Sequence, residues 1–335
     1  RMVYLDLSFK PREELERELG GIIEIYRKFV GEDPCEVPMK IYPGVHYSMG
    51  GLWTTYTPGS EYRRVESGEL TLHDADGWDP KHRPKVGMEL GAVDNMMTNV
   101  KGLYAFGEVN YQFHGANRLG ANALLSCIFD GLFSGVSVAN FVRDRSSSPS
   151  SAASQKLFDA AAREEEQKQE KLIKSTGGEN AYQIALELGD EMTDASTVVK
   201  TGPRLQQALG KLDQLRERYS RITLSDTGMW TNQALSWTRA VGDMLALADP
   251  ILRAGLAREE SRGSHYREDF PDRDDARFMK TSIAEYDPAT GQSKITFEKT
   301  LSALVRPRKR SYGKVEAAPA TKPAASKAPA GAAAT

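Results

Sequence analysis

Apolar residues recur at helical spacing along much of this chain. Over residues 11–30, Leu15, Leu19, Ile22, Ile23, Ile25 and Tyr26 predict an apolar stripe on one helix. Pro11 suits the first turn, Glu13, Glu14 and Glu16 suit its positive end, and Gly31 suits the stop. The period is lost over residues 37–53, where Pro43, Gly44, Gly50 and Gly51 punctuate short apolar runs. That pattern predicts strands and tight turns where backbone comes close to something. Residues 54–93 are polar and read as a long surface excursion. Residues 99–107 predict a turn and a short strand, followed by a glycine-rich bend and an apolar helix from about Leu119. A Ser- and Pro-rich stretch at 146–152 marks a boundary. Beyond it, helical patterns at 153–174, 181–200, 204–221 and 230–261 predict a bundle. Residues 314–335, mostly Ala, Pro and Lys, read as a disordered tail.

Composition narrows this picture only a little. With 335 residues and 40% apolar content, the chain can bury one large core or two smaller ones. Lys and Arg number 44 against 46 Asp and Glu, so charge gives no reason to expect nucleic acid. Two cysteines far apart, Cys35 and Cys127, argue against a disulfide framework and for a reducing compartment. The opening Arg1-Met2-Val3-Tyr4-Leu5-Asp6-Leu7 lacks the order of a signal peptide and reads as the inside of a fold, so that either the true start lies upstream or a cut was made here. The apolar run 119–141 is long enough for a membrane span. Its Asn122, Ser126, Asp130, Ser134 and glycines favour a buried core helix instead. Glu164, Glu165 and Glu166 beside Lys168 and Lys171 read as a solvated helix face.

Two constellations carry chemistry, and neither has metal-ligand spacing. The first is His46-Tyr47-Ser48-Met49-Gly50-Gly51. It is either a satisfied histidine in a turn or a histidine held at a cofactor edge with backbone packed against it. The second is Gly107-Glu108-Val109 followed by His114-Gly115-Ala116-Asn117-Arg118-Leu119-Gly120-Ala121-Asn122-Ala123-Leu124-Leu125. A glycine-rich bend entering an apolar helix leaves first-turn N–H groups without helical partners and with partial positive charge, which attracts an anion. Arg118 at that end can grip a carboxylate through two parallel hydrogen bonds, and Glu108 after a strand can accept from a ribose hydroxyl. The alternative is a glycine-rich helix start with a surface arginine.

Read together, HYSMGG and KGLYAFGEVNYQFHGANRLGANALLS closely resemble the flavoprotein subunits of succinate dehydrogenases and fumarate reductases. A third stretch in the same order, REESRGSHYREDFPDRDD at 258–275, resembles the end of that family's helical domain. The resemblance implies a mixed α+β and α/β fold: the C-terminal part of an FAD-binding domain and of its capping domain, then a helical domain. It divides the chain into the end of the capping domain (1–45), the FAD-binding part (46–150, with an insertion at about 54–93), the helical domain (151–312) and the tail (313–335).

It also implies oxidation of succinate to fumarate, or the reverse, by hydride transfer to or from FAD. Carried over by position, His46 and Arg118 bind substrate carboxylates, and Arg118 also polarises the substrate. Glu108 binds FAD, Ala123 and Leu124 offer backbone contacts near the flavin ring, and Tyr47, Gly50 and Gly51 lie along it. Arg262 and His265 are expected to hold the helical domain against the flavin domain. Implied partners are an iron–sulfur subunit, a cytochrome b membrane anchor and the N-terminal half of the flavoprotein, with the protein peripheral on the cytoplasmic face of the membrane. This sequence contains no GxGxxG phosphate motif, and the family's flavin-linked histidine and proton-transfer arginine have no counterpart in it. Where many relatives have serine it has Ala123, so only a backbone contact is expected there. L-aspartate oxidase, a sister flavoenzyme, and a non-catalytic assembly subunit are the competing readings.

Overall fold

The computed structural model describes residues 3–41, 46–67 and 87–300. The chain divides into two compact units, residues 1–59 with 87–299, and residues 60–86 with 300–335. Of the second unit the described part is chiefly one short helix, α2 (Tyr62–Glu66). Residues 68–86 of the expected insertion, and the whole expected tail, lie outside the described residues.

The first unit starts with strand β1 (Val3–Leu5), helix α1 (Arg12–Val30) and strand β2 (Met39–Ile41). β1 and β2 pair antiparallel, Val3 opposite Ile41. α1 begins after Pro11 and stops at Gly31, whose φ of 76° is the left-handed turn a glycine adopts without strain. Only Leu15, Ile23 and Tyr26 of its predicted stripe are buried, while Ile22 and Ile25 are exposed. The stripe is narrower than the periodicity suggests because one short sheet covers little of a helix.

The ends of the polar excursion are not surface strands drifting apart. Residues 54–59 run beside 87–97, with Thr55 N–H donating to Met97 O (2.8 Å) and Glu89 N–H to Thr57 O (2.8 Å). Thr54, expected on the surface, is 1% exposed. The short strand expected over 99–107 is instead a tight turn, joined to the chain before it by one bridge, Met97 to Tyr104. Gly102, at φ 87°, turns the backbone before a second strand can form.

Helix α3 (Asn122–Arg143) corrects the sequence reading in a more consequential way. Its buried face is Ala123, Ser126, Asp130, Ser134 and Ser137, a stripe at helical spacing made of small and polar residues. Its apolar face is open: Leu124 is 76% exposed and Leu132 75%. This is a helix long and apolar enough to cross a membrane by length and composition. Within the described residues it is not the buried core helix that was expected, since they cover only its polar side.

After the turn α4 (Pro149–Ala152) comes α5 (Gln155–Ile173), capped by the Ser154 hydroxyl and without a buried residue. Lys168 pairs with Glu164 and Glu165, as a solvated face should. The bundle core is built by α6 (Ala181–Ser196), α7 (Gly202–Tyr219) and α8 (Gln233–Ala257). Asn180, Thr201 and Asn232 cap their N-termini, each side chain accepting from first-turn N–H groups. Ile184 and Leu188 of α6, Leu205, Leu209 and Leu212 of α7, and Val241, Leu245 and Leu252 of α8 close one core. A short helix α9 (Asp275–Phe278) leads into a hairpin, β3 (Lys280–Asp287) and β4 (Gln292–Lys299), which the sequence reading missed. It docks on α8 through the Ser293 N–H, which donates to buried Asp249 (2.6 Å). The result is a mixed fold of helices and small sheets with a C-terminal helical domain.

Candidate active site

Residues 46–52 and 107–118 are far apart in sequence, yet they are laced together. The Ser48 N–H donates to Glu108 Oε1 (2.8 Å), the Leu52 N–H to Val109 O (2.7 Å), and the Arg118 N–H to Met49 Sδ (2.8 Å). The Tyr47 ring meets the His114 ring edge-on at 4.9 Å, and the Arg118 guanidinium lies over the same tyrosine at 5.8 Å. Gly51 is required here: at φ 144° it packs so closely on Val109 that a Cβ would collide with the Val109 carbonyl.

Two devices hold this lacework. Glu108 lies in a 3-10 turn, Gly107–Val109, rather than after a strand as expected. That turn is pinned by Asp130 of α3, wholly buried, which accepts from the Gly107 N–H (2.7 Å) and the Ser134 hydroxyl (3.0 Å). Burial pushes the Asp130 carboxyl up, against the pull of those donors. The second device is His114, which the sequence reading did not single out. Its Nε2 shares a hydrogen bond with the Ser126 hydroxyl (3.1 Å), and that hydroxyl also lies 2.8 Å from Ala123 O at the start of α3. The i,i+12 spacing across a glycine bend gives no periodic signal for such a pair.

The helix does not begin near Leu119. Residues 119–121 turn first, and Ala121 adopts φ 64°, so α3 starts at Asn122. The Asn122 N–H donates to Leu119 O (3.3 Å) and no side chain caps this end. The Ala123 and Leu124 amides fall in the first turn, where N–H groups have no intrahelical acceptor. Arg118 is half-buried, with one guanidinium N–H on Leu119 O (3.0 Å). Glu108 and His46 are both exposed. The structure therefore brings Tyr47, Met49, Gly51, Glu108, His114 and Arg118 together, and leaves His46 and Gly50 at the open edge.

These residues fit a flavin in several ways. The α3 terminus is uncapped, Gly50 has open space beside it, and Glu108 is an exposed carboxylate. The Tyr47 hydroxyl is shut off from water without a well-formed hydrogen bond among the described residues. Burial pushes that phenol up, with a smaller opposing pull from Ser126. An open concavity of about 850 Å³ lies elsewhere, on the helical domain, lined by residues including Tyr182, Met229 and Trp237. The candidate site lies next to the exposed apolar face of α3.

Comparison with known proteins bears on the family. The family described as "FAD binding domain" matches residues 1–61, and that described as "Fumarate reductase flavoprotein C-term" matches residues 185–312. Over 317 residues, 95% of its length, the chain is 39% identical to the succinate dehydrogenase flavoprotein subunit of Bacillus subtilis. The chain belongs to the succinate dehydrogenase and fumarate reductase flavoprotein-subunit family. Against the fumarate reductase flavoprotein subunit of Escherichia coli identity is 29% over 93% of the chain. The fold superposes on a solved Escherichia coli quinol fumarate reductase chain with TM-score 0.70, at 28% identity and over 93% of this chain. A Mycobacterium smegmatis Sdh1 structure, at 24% identity and TM-score 0.64, shares the fold over 90% of the chain. The chain spans about half the length of the relatives it matches, 47% of the Bacillus subtilis protein and 46% of the solved Escherichia coli chain.

Proposed function

We infer that this chain supplies the C-terminal half of the flavoprotein subunit of a succinate dehydrogenase, which oxidises succinate to fumarate with FAD. The observation that carries this is the lacing of residues 46–52 onto 107–118, which gathers an arginine, an uncapped helix end and an exposed carboxylate in one half-site. The greater identity to a succinate dehydrogenase (39%) than to a fumarate reductase (29%) favours the oxidative direction.

In this reading Arg118 donates two N–H groups to one substrate carboxylate, with the charge oriented by the Tyr47 face. His46 donates to the other carboxylate. Glu108 accepts from a hydroxyl of the cofactor, while Tyr47, Gly50 and Gly51 lie along it. The first-turn amides of Ala123 and Leu124 and the α3 dipole stabilise negative charge at the ring. FAD, when bound, would supply the hydride acceptor, and the proton lost from the adjacent substrate carbon would go to a group outside this sequence. The remaining half-site and the cover for the α3 apolar face come from the N-terminal half of the flavoprotein. The domain division proposed is the end of a capping domain (1–45), FAD-binding part (46–150), helical domain (151–312) and tail (313–335). Electrons would pass to an iron–sulfur subunit and a membrane anchor, with the protein peripheral on the cytoplasmic face.

The test is Arg118→Lys in the complete flavoprotein. It keeps the charge but loses the two-point grip. Succinate turnover should fall at least about a hundredfold, the scale of losing a preorganised donor, while flavin stays bound. Near-normal turnover would remove Arg118 from the site.

A further inference from the structure

The Arg118 loop is gripped from the helical domain at one point. The Ala116 carbonyl accepts two hydrogen bonds from Ser264, from its N–H at 2.8 Å and from its hydroxyl at 3.0 Å. The neighbouring Gly263, at φ 60°, comes so close to Ala116 that a Cβ would collide with that carbonyl. Gly263 and Ser264 form the tip of a tight turn closed by Arg262 N–H to His265 O (2.8 Å) and His265 N–H to Arg262 O (3.0 Å).

The base of this turn is built rigidly. Arg262 lays two N–H groups on Glu260 (2.7 and 2.8 Å), a carboxylate 0% exposed, which also accepts from Arg258 (2.7 Å) and the Asp274 N–H (2.9 Å). On the other side His265 Nε2 meets the Arg258 carbonyl at 3.1 Å. A turn fixed on both sides thus meets the loop two residues before Arg118. The Arg118 N–H in turn donates to Met49 Sδ (2.8 Å), so the same grip reaches the first constellation.

We propose that Gly263 and Ser264 are positioning residues for Arg118: the turn at 262–265 of the helical domain sets the place of the loop 114–118 and so the dicarboxylate grip. This rests on the reading of Arg118 as the carboxylate-binding group. It gives the helical domain a part in substrate affinity that it exerts without touching substrate.

The experiment uses the complete, flavin-loaded flavoprotein and malonate, a dicarboxylate that has no second carbon to form a double bond, titrated by the change in flavin absorbance. Ser264→Ala removes one of the two bonds to Ala116 and should weaken malonate binding about fivefold, the worth of one neutral hydrogen bond. Ser264→Thr keeps the hydroxyl and should restore binding. Gly263→Ala must displace Ala116 and should weaken binding more than about tenfold, the cost of strain at a left-handed position. Flavin content and the unfolding temperature should change little in Ser264→Ala, which separates positioning from general destabilisation. Wild-type malonate affinity in both Ser264→Ala and Gly263→Ala overturns the proposal. Arg118→Lys, run alongside, tells the two failures apart. If it loses malonate while the turn variants do not, the positioning idea alone falls. If it too binds like wild type, the assignment of Arg118 falls and takes this proposal with it.

Discussion

Glu260 is the residue whose replacement tests most of the reasoning about the helical domain. Its carboxylate has no exposed surface and meets four donors, from Arg258, Arg262 twice and the Asp274 N–H, all at 2.7–2.9 Å. Glu260→Gln keeps the shape and one acceptor oxygen. It also removes the charge and turns an amide NH2 toward arginine N–H groups. Breaking a buried pair by removing one partner costs about 3–5 kcal/mol. Arg258 and Arg262 retain 13% and 18% side-chain exposure, so water takes up part of their charge. We therefore expect a loss of about 3 kcal/mol, the lower end of that range. For a helical domain of this size that is a fall of about 6–12 °C in unfolding temperature.

The pH dependence sharpens the test. Burial opposes the ionisation of Glu260, but Arg262, the Asp274 N–H and Arg258 outweigh it, so its carboxyl sits below the usual glutamate range. A group lowered on folding stabilises fully above its unfolded value and loses that contribution as pH falls through its folded one. The gap between wild type and Glu260→Gln should therefore be full near pH 7 and should narrow once the pH falls below the ordinary glutamate value of 4.5. Urea unfolding followed by circular dichroism at both ends of that range measures it. A loss under about 1 kcal/mol, or a gap that widens on acidification, would refute the account of a net-favourable buried network.

Other outcomes follow from single residues. Leu252→Ala, at 1% exposure in the bundle core, should cost about 2–5 kcal/mol in equilibrium unfolding. Asp269 is held by a two-point Arg267 contact (2.8 Å each) that lowers its pKa from 3.8 to about 2. Its contribution is thus present above 3.8 and lost as pH falls toward about 2. Asp269→Asn should flatten the acid limb of the stability curve in that window, and an unchanged limb would discount the pair. His46→Ala in the complete flavoprotein should raise the apparent KM for succinate about tenfold, on the scale of a hydrogen bond to a charged group. An unchanged KM would argue against that role.

The chain's local signals were legible because they depend on near neighbours. The bundle helices were readable from their period. Their caps, Asn180, Thr201 and Asn232, accept from N–H groups two or three residues on. The Gly31 stop and the glycine-rich motifs around His46 and Arg118 were legible for the same reason. The β3–β4 hairpin escaped notice because most of its residues are exposed and its inward positions, such as Ile295 and Phe297, are few. Only the tertiary structure decided which face of α3 is covered. Composition made this helix look like core, yet Ser126, Asp130 and Ser134 are buried and Leu132 is open. A helix's period says that it has two faces, and its partner decides which one is buried. The same holds for the site. The residue types of both constellations were present in the sequence, but Ser48 on Glu108, Met49 on Arg118 and Ser264 on Ala116 are contacts between distant segments. Spacing along a chain cannot encode such contacts, because they are set by how the whole fold closes.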